Sequence, residues 1–139
     1  MLIGWGTLTA QSGNSDEEVQ HAVEAFFRGM QTADSGLVAQ IMPPSCIMHT
    51  VAERVDGVEV VIGNRDQFVK VIASPPAELE ERINGLTIHR DGPMATAWME
   101  YTFYLDGKAH HCGVNNMVLA LLEGSWQIIY VSDTRRPCK

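Results

Sequence analysis

The first half of the chain shows hydrophobic residues at helical spacing. Ser15 and Glu18 form a capping box, in which each side chain can satisfy a backbone donor at the start of a helix. The apolar residues that follow predict an amphipathic helix that packs on the rest of the protein; they are Val19, Ala22, Val23, Phe26, Phe27 and Met30. A second, short helix is expected over 35–42, because prolines 43 and 44 cannot continue it.

A hairpin and a third helix are expected next. Residues 46–52 and 57–62 are short and rich in β-branched residues, and the turn pair Asp56-Gly57 separates them. Asn64 is then positioned to cap a helix that extends to about Ala73, before prolines 75 and 76 end it.

The second half of the chain predicts long strands. They cover about 80–89, 94–105, 108–122 and 126–134, and the pairs Asp91-Gly92, Asp106-Gly107 and Glu123-Gly124 separate them. Asp-Gly is a strong hairpin signal, so these strands should form an antiparallel meander. Helices first and antiparallel strands later predict an α+β domain. We expect three helices from the N-terminal half on one face of a curved antiparallel sheet, forming a cone that encloses a pocket.

Length and charge limit the remaining possibilities. A chain of 139 residues fits one domain, placed at 15–139, and residues 1–14 are interpreted as a flexible N-terminal arm or a signal-peptide remnant. The net charge of -7 opposes binding to phosphate backbones, so no nucleic acid partner is expected. No apolar run approaches the ~20 residues of a membrane span.

The cysteines leave the compartment open. Cys46, Cys112 and Cys138 have no zinc-ligand spacing, so no structural metal is predicted. In an exported protein one disulfide and one free thiol would result, whereas in the cytoplasm all three would be reduced. The sequence slightly favours a cytoplasmic location over a periplasmic or secreted one, because the basic leader of a signal peptide is missing.

Three segments of the second half resemble a known superfamily. They are DGPMATAWMEYTFYLDGK (91–108), HHCGVNN (110–116) and GSWQIIYVSDTRRPC (124–138). With the order of elements over 15–136, they are similar to the nuclear transport factor 2-like superfamily, in particular its bacterial SnoaL-like and lumazine-binding-like branch. The resemblance implies a fold and a pocket but no single reaction, because the superfold hosts enzymes and binders alike. Asn115 stands where an Asp is common in such chains, and Met117 where a Phe is common.

The Asp106-Gly107 turn predicts which side chains of the two adjoining strands share a face. If Leu105 pairs with Lys108, then Trp98 lies opposite Asn115 and Glu100 opposite Gly113. This register predicts a cavity lining of Trp98, Glu100, His111, Asn115 and Met117. A shift of one residue would turn these side chains outward. The opposite face is then a candidate surface for a homodimer.

The register of the last hairpin has two alternatives. Depending on the turn around 123–125, either Asp133 or Ser132 lies across from Asn115. The three-residue loop is slightly favoured and places Cys112 opposite Arg136. Cys138 is then close enough for a disulfide with Cys112 in an oxidising compartment.

Four residues are candidates for acid/base chemistry: His49, Glu100, His111 and Asp133. Histidine exchanges protons near neutral pH, and a buried carboxyl has a raised pKa. The alternatives are a hydrogen-bonded structural His49 and a solvated Glu100. Asp133, Arg135 and Arg136 could hold an anionic ligand at the mouth of the cone. They could equally form a salt-bridged fringe, which is the preferred interpretation of Arg136. Adjacent strand residues point to opposite faces, so the pair at 110–111 cannot bind one metal ion.

Three functional hypotheses follow. The sequence has no nucleophile elbow, no phosphate-binding glycine loop and no zinc-protease motif, so those enzyme classes and their cofactors are not expected. The first hypothesis is a small-molecule-binding cone that forms a homodimer and needs no cofactor. The second is a cofactor-independent isomerase, dehydratase or cyclase. The third is a protein-interaction module or accessory subunit, which predicts a filled cone and an exposed apolar patch.

Overall fold

The computed structural model of the protein describes residues 15–139, which form three helices and one six-stranded sheet. The predictions for residues 1–14 lie outside the described residues. The helices are α1 (Asp16–Gln31), α2 (Ser35–Ile41) and α3 (Arg65–Ala73). Ser15, Asp34 and Asn64 accept backbone N–H bonds at the three helix starts, as expected of residues whose short polar side chains replace a missing helical acceptor. None of these helices is long and apolar enough to span a membrane.

The sheet is mixed, and the meander prediction holds for only part of it. Its strands are β1 (Ile47–Arg54), β2 (Gly57–Ile62), β3 (Leu79–Asp91), β4 (Met94–Leu105), β5 (Lys108–Leu122) and β6 (Ser125–Arg135), in the order β2-β1-β6-β5-β4-β3. Strands β3 to β6 form the antiparallel meander. The β1–β2 hairpin joins it through a parallel pairing of β1 with β6, which corrects the fully antiparallel expectation. A parallel pair requires a long crossover, and about half of the chain lies between these two strands.

A β-bulge changes the register of the β4–β5 hairpin. Leu105 pairs with Lys108 as predicted, and Asp106 and Gly107 both have positive φ angles, as a tight turn requires. His110 is then an extra residue, because Tyr104 pairs with Ala109 whereas Phe103 pairs with His111. Beyond this bulge Trp98 lies opposite Asn116, not Asn115. The predicted register is therefore wrong by one residue along most of the hairpin.

At the β5–β6 hairpin, a second bulge restores the register that was predicted. The turn has two residues, since Leu122 pairs with Ser125, so the favoured three-residue loop is wrong. An irregularity after Val118 then shifts the register by one. Asn115 consequently lies across from Asp133, as the favoured register predicted.

The two faces of the sheet differ in their contacts. The inner face is covered by the helices and carries the hydrophobic core, which includes Val19, Val23, Phe26, Ile72, Met99, Met117, Leu119 and Ile128. The outer face has no covering element in the described part of the chain. Apolar side chains are exposed on it: Ile47, Val51, Val58, Val60, Ile62 and Trp98. Along each strand, successive residues alternate between these two faces.

A disulfide fixes the C-terminal segment. Cys112 and Cys138 are bonded, with 5.0 Å between their Cα atoms, and Cys46 is a free, buried thiol. Cys112 and Arg136 also exchange two backbone hydrogen bonds, of 2.9 and 2.8 Å. The segment after β6 is thus held against β5 by both covalent and backbone contacts.

Candidate functional site

A cavity of about 150 Å³ lies between the helices and the inner face of the sheet. Its apolar side comes from helices α1 and α3 and from strands β1 and β6. Its polar side comes from strands β1, β3, β5 and β6. The lining residues are Phe26, Met30, Met48, His49, Thr50, Gly63, Phe68, Glu81, Asn115, Val131, Asp133 and Arg135.

Glu81 and Asn115 form the central polar contact of this cavity. The Asn115 Nδ2 amide donates a hydrogen bond of 3.0 Å to Glu81 Oε2. The pKa of Glu81 is raised to about 7, chiefly by burial; Asp133 acts in the same direction, whereas the Asn115 bond and Arg135 oppose the shift. Near neutral pH the Glu81 carboxyl can therefore exist in either protonation state, as a group that accepts and donates protons must.

Asp133 is the centre of a second group of hydrogen bonds. The Thr50 hydroxyl donates to Asp133 Oδ1. Arg135 Nε donates to Oδ2 over 3.0 Å, and the Tyr101 hydroxyl lies 3.1 Å from the same oxygen and 2.7 Å from the Thr134 carbonyl. Burial and the carboxylates of Asp133 and Glu81 raise the pKa of Tyr101, so its hydroxyl stays protonated. Asp133 is held in place by donors from three strands.

Two predicted lining residues lie on the wrong face. Trp98 is 54% exposed on the outer face, and Glu100 is exposed there beside Arg82 and Arg136. The physical reason is the bulge at His110, which reverses the facing of β4 relative to β5. The predicted placement of Trp98 and Glu100 inside the cone is corrected, and Glu100 is not a buried acid.

Asn115, Met117, Asp133 and Arg135 are on the inner face, but not all of them reach the cavity. Asn115 and Met117 are both buried; Asn115 lines the cavity, whereas Met117 belongs to the core. Asp133 and Arg135 line the cavity together.

His111 lies at the rim, outside the cavity. Its ring stacks on Phe103 at 4.9 Å and meets the Tyr101 ring edge-on at 5.6 Å. Burial, Arg135 and His110 lower the pKa of His111 to about 4, so the imidazole is neutral at pH 7.

His49 is one of the residues that line the cavity, and its ring contacts Tyr130. The imidazole Nδ1 lies 3.2 Å from the Tyr130 hydroxyl, and Tyr130 alternates with the inward-facing Val131. This matches the interpretation of His49 as a hydrogen-bonded structural histidine. Within residues 15–139, no group of three His, Cys, Asp or Glu side chains is arranged to hold a metal ion.

Three residues of the site were not predicted from the sequence: Glu81, Thr50 and Tyr101. Glu81 had a detectable signal, because it lies between Leu79 and Ile83 on the inward-facing side of β3, where a lone acid among apolar residues is unusual. Tyr101 was assigned to the opposite face from Asn115 because the bulge was not foreseen. The site therefore depends on β3, the strand with no predicted candidate.

Comparison with known proteins identifies the fold but not an activity. No protein-family model matches the sequence, and no curated protein sequence matches it. Among solved structures, a nuclear transport factor 2-like protein from Cytophaga hutchinsonii superposes with a TM-score of 0.72 at 13% identity, covering 88% of this chain and 99% of that one. A candidate dehydratase of the same family from Streptomyces avermitilis gives 0.65 at 15% identity, over 88% and 96% of the two chains.

A third structure is a subunit of a larger enzyme. The β-subunit of a candidate aromatic-ring-hydroxylating dioxygenase from Novosphingobium aromaticivorans gives a TM-score of 0.70 at 10% identity, over 88% of this chain and 90% of that one. The protein thus has the nuclear transport factor 2-like fold, and the predicted resemblance is confirmed at that level. Identities this low carry no function from one chain to another.

Proposed function

We propose that the protein binds a small molecule in the cone cavity, with the apolar part of the ligand against Phe26, Met30 and Phe68 and a polar group at Glu81. The observation that carries this proposal is the pairing of Glu81 with Asn115 at the end of an otherwise apolar cavity. A buried carboxyl is costly unless it is used or paired, and a few convergent polar groups in an apolar pocket are typical of ligand sites.

The cavity limits the size and charge of the ligand. A volume of about 150 Å³ corresponds to a molecule of about six to ten non-hydrogen atoms, since a cavity of that size accommodates benzene. Glu81 and Asp133 together disfavour a negative group in contact with Glu81. We therefore propose a neutral ligand with a carbonyl, hydroxyl or amine that can exchange a hydrogen bond with Glu81.

Native mass spectrometry of the purified protein, followed by denaturing extraction, tests this proposal. The wild type should retain a molecule of defined mass, and the cavity-filling variant Val131→Phe should lose it. Val71→Phe, which enlarges an exposed residue of α3, is the matched control and should retain it. Equal retention by both variants would place the molecule outside the cavity and overturn the proposal.

Acid/base turnover is the second candidate, and the raised pKa of Glu81 favours it. The Glu81 carboxylate would remove a proton from carbon beside a carbonyl group and return it at another position, as in an isomerisation. The Tyr101 hydroxyl, which keeps its proton, contacts Asp133 and the Thr134 carbonyl beside this position and helps to hold Asp133 in place. The predicted reliance on His49, Glu100 and His111 is replaced by Glu81, with Asp133 as an orienting group.

Deuterium exchange distinguishes turnover from binding alone. The extracted molecule, or a panel of small ketones, is incubated with the protein in deuterated water and followed by NMR. Turnover predicts incorporation that rises with pH through an apparent pKa near 7 and falls at least about a hundredfold in Glu81→Gln. Exchange that is unchanged in Glu81→Gln would exclude Glu81 as the base.

Two further proposals concern assembly and location. The exposed apolar side chains of the outer face support a homodimer formed through this face, while the open cavity argues against the filled cone of an accessory subunit. The Cys112–Cys138 disulfide supports an oxidising compartment, in place of the slight preference for the cytoplasm. The SnoaL-like or lumazine-binding-like branch remains a prediction from the sequence resemblance.

A further inference from the structure

A depression of about 370 Å³ at the C-terminal end of β6 is lined by cationic and imidazole side chains. Its lining residues are His110, His111, Arg135, Arg136 and Pro137, with no carboxylate among them. The whole chain has a net charge of -7, so this concentration of basic groups runs against the average charge of the surface. It lies outside the cone cavity, with which it shares only Arg135.

The two arginines keep hydrogen-bond donors available. Arg135 uses Nε for Asp133, and neither of its terminal nitrogens bonds to a described residue. The Arg136 side chain lies near Glu100 but makes no ion pair or hydrogen bond with any residue of 15–139, which corrects the interpretation of Arg136 as part of a salt-bridged fringe. Guanidinium groups form strong paired hydrogen bonds with planar or tetrahedral oxyanions.

The depression is built on a rigid part of the chain. The main chain of Arg136 is bonded twice to Cys112, and the Cys112–Cys138 disulfide closes the segment on the other side of Pro137. Proline restricts its own φ angle as well. Donors held in place before binding lose less entropy when a ligand arrives.

The histidine pair adds a further donor. His110 Nδ1 and His111 Nδ1 are 2.8 Å apart, so one of them must carry a proton and the other accept it. The bulge places His110 at the surface while His111 is packed between Phe103 and Tyr101. The ring that accepts at Nδ1 carries its own proton on Nε2, which has no bond to a described residue and can donate to a ligand.

We propose that this depression is a binding site for a small oxyanion group, a carboxylate or a phosphate, held by Arg136 and the free nitrogens of Arg135 with His110 beside them. The site does not depend on a ligand in the cone. The oxyanion is either a free ion or the charged end of a larger molecule, and both sources present the same chemistry to the two arginines.

NMR of the histidine rings in the disulfide-intact protein tests this site, with inorganic phosphate and acetate as probes at constant ionic strength. We expect saturable shifts of the His110 and His111 signals in the millimolar range, while His21 and His89, which lie elsewhere, stay unchanged. Benzoate and benzyl phosphate form the second arm: tighter binding than acetate or phosphate indicates the charged end of a larger molecule, and equal binding indicates a free ion. Both results support the site.

Variants show whether the binding is local. Arg136→Gln should weaken phosphate binding about tenfold, and Arg136→Lys should weaken it less, because one charged donor remains. Arg28→Gln removes the same charge from the exposed end of α1 and should have no effect. Unfolding midpoints and thiol counts verify that the variants are folded and oxidised. Absence of saturable shifts at His110 and His111, or equal weakening by Arg28→Gln and Arg136→Gln, would overturn the proposal.

Discussion

The folded protein disfavours the ionised form of the Glu81 side chain. Its pKa is raised from 4.5 to about 7, chiefly by burial. Between these two values the unfolded chain releases a proton that the folded protein keeps, so the free energy of unfolding falls as pH rises through this range. Above pH 7 both states are ionised and the penalty is constant. The stability cost of Glu81 is therefore absent in acid and complete in mild alkali.

Replacing Glu81 tests this linkage. Glu81→Gln should be more stable than the wild type at pH 8, by on the order of 2 kcal/mol, and the difference should shrink toward pH 4.5. Urea unfolding at several pH values measures it. Glu53→Gln, at an exposed position of β1, is the control and should show no such pH dependence. A constant difference between Glu81→Gln and the wild type would mean that the Glu81 pKa is not raised.

Asn115 allows a complementary change. Asn115→Asp would remove the donor to Glu81 and add a carboxylate between Glu81 and Asp133, at a position that is only 6% exposed. We expect a loss of about 2 kcal/mol in the free energy of unfolding at pH 8 and a smaller loss at pH 5. Asn116→Asp, on the outer face, should cost clearly less. Equal losses in urea unfolding for the two variants would contradict the polar cluster.

Single residues were predictable where a side chain had one obvious role. Asn115 and Asp133 were placed together because the favoured register pairs them across β5 and β6, and Arg135 is two residues further along β6 on the same face. Trp98 and Glu100 were misplaced because their facing depends on a bulge, and no local signal distinguished the extra residue at His110. Glu81 was missed because its function comes from distant neighbours: Asn115 is 34 residues away along the chain.

At the scale of elements, β5 and β6 approach so closely at Gly113 that no side chain fits there. A Cβ atom added there would overlap the Thr134 carbonyl oxygen and lie 2.9 Å from Tyr101 Cε1. Gly113→Ala should therefore lower the free energy of unfolding by about 3 kcal/mol, because the β5–β6 pairing must shift. Gly36→Ala, in α2, has room for the methyl group and should be neutral or slightly stabilising. Thermal unfolding of both variants measures these changes in stability. A Gly113→Ala variant as stable as the wild type would disprove the close approach.

The Cys112–Cys138 disulfide is a second feature that holds strands and the C-terminal segment together. It closes a loop with a sequence separation of 26 residues, for which chain entropy predicts a stabilisation of about 3 kcal/mol. Reduction with dithiothreitol should lower the melting temperature of the wild type and leave that of Cys112→Ser/Cys138→Ser unchanged. A wild-type melting temperature that reduction does not affect would show that the bond contributes nothing to stability.

The elements themselves followed from the sequence more reliably than their registers. Helix caps at Ser15 and Asn64 and the Asp106-Gly107 turn are local signals, and each lies where it was expected. The parallel pairing of β1 with β6 is a contact between distant segments, which no hydrophobic pattern specifies. The bulges also could not be predicted from local patterns, since they adjust the curvature of a sheet that exists only in the folded protein.

For the whole molecule, the outer face of the sheet is an apolar surface with no covering element among residues 15–139. Val60 is 56% exposed among other β-branched residues of this face, an arrangement that a monomer rarely keeps in water. Val60→Asp should convert a dimer to a monomer by placing a charge in the interface. Val55→Asp, at the exposed tip of the β1–β2 hairpin, is the matched control and should leave the assembly unchanged. Sedimentation velocity measures both, and a monomeric wild type would refute the dimer.

The architecture of the whole molecule was the most predictable property, because helices first and strands later leave few arrangements with one core. The residues of the site were less predictable, because they converge from four strands whose facing depends on two bulges. The central claim is that a neutral ligand with an apolar part occupies the cone against Glu81.

The most direct measurement is an NMR screen of small neutral molecules against protein labelled at its methionine methyl groups. Met30 and Met48 line the cavity, whereas Met94 is exposed at the start of β4. Binding in the cone predicts compounds that shift the Met30 and Met48 signals, leave Met94 unchanged and bind about tenfold more weakly to Glu81→Gln. If no compound shifts Met30 or Met48, or if Glu81→Gln binds every compound as well as the wild type does, the cone is not a ligand site centred on Glu81.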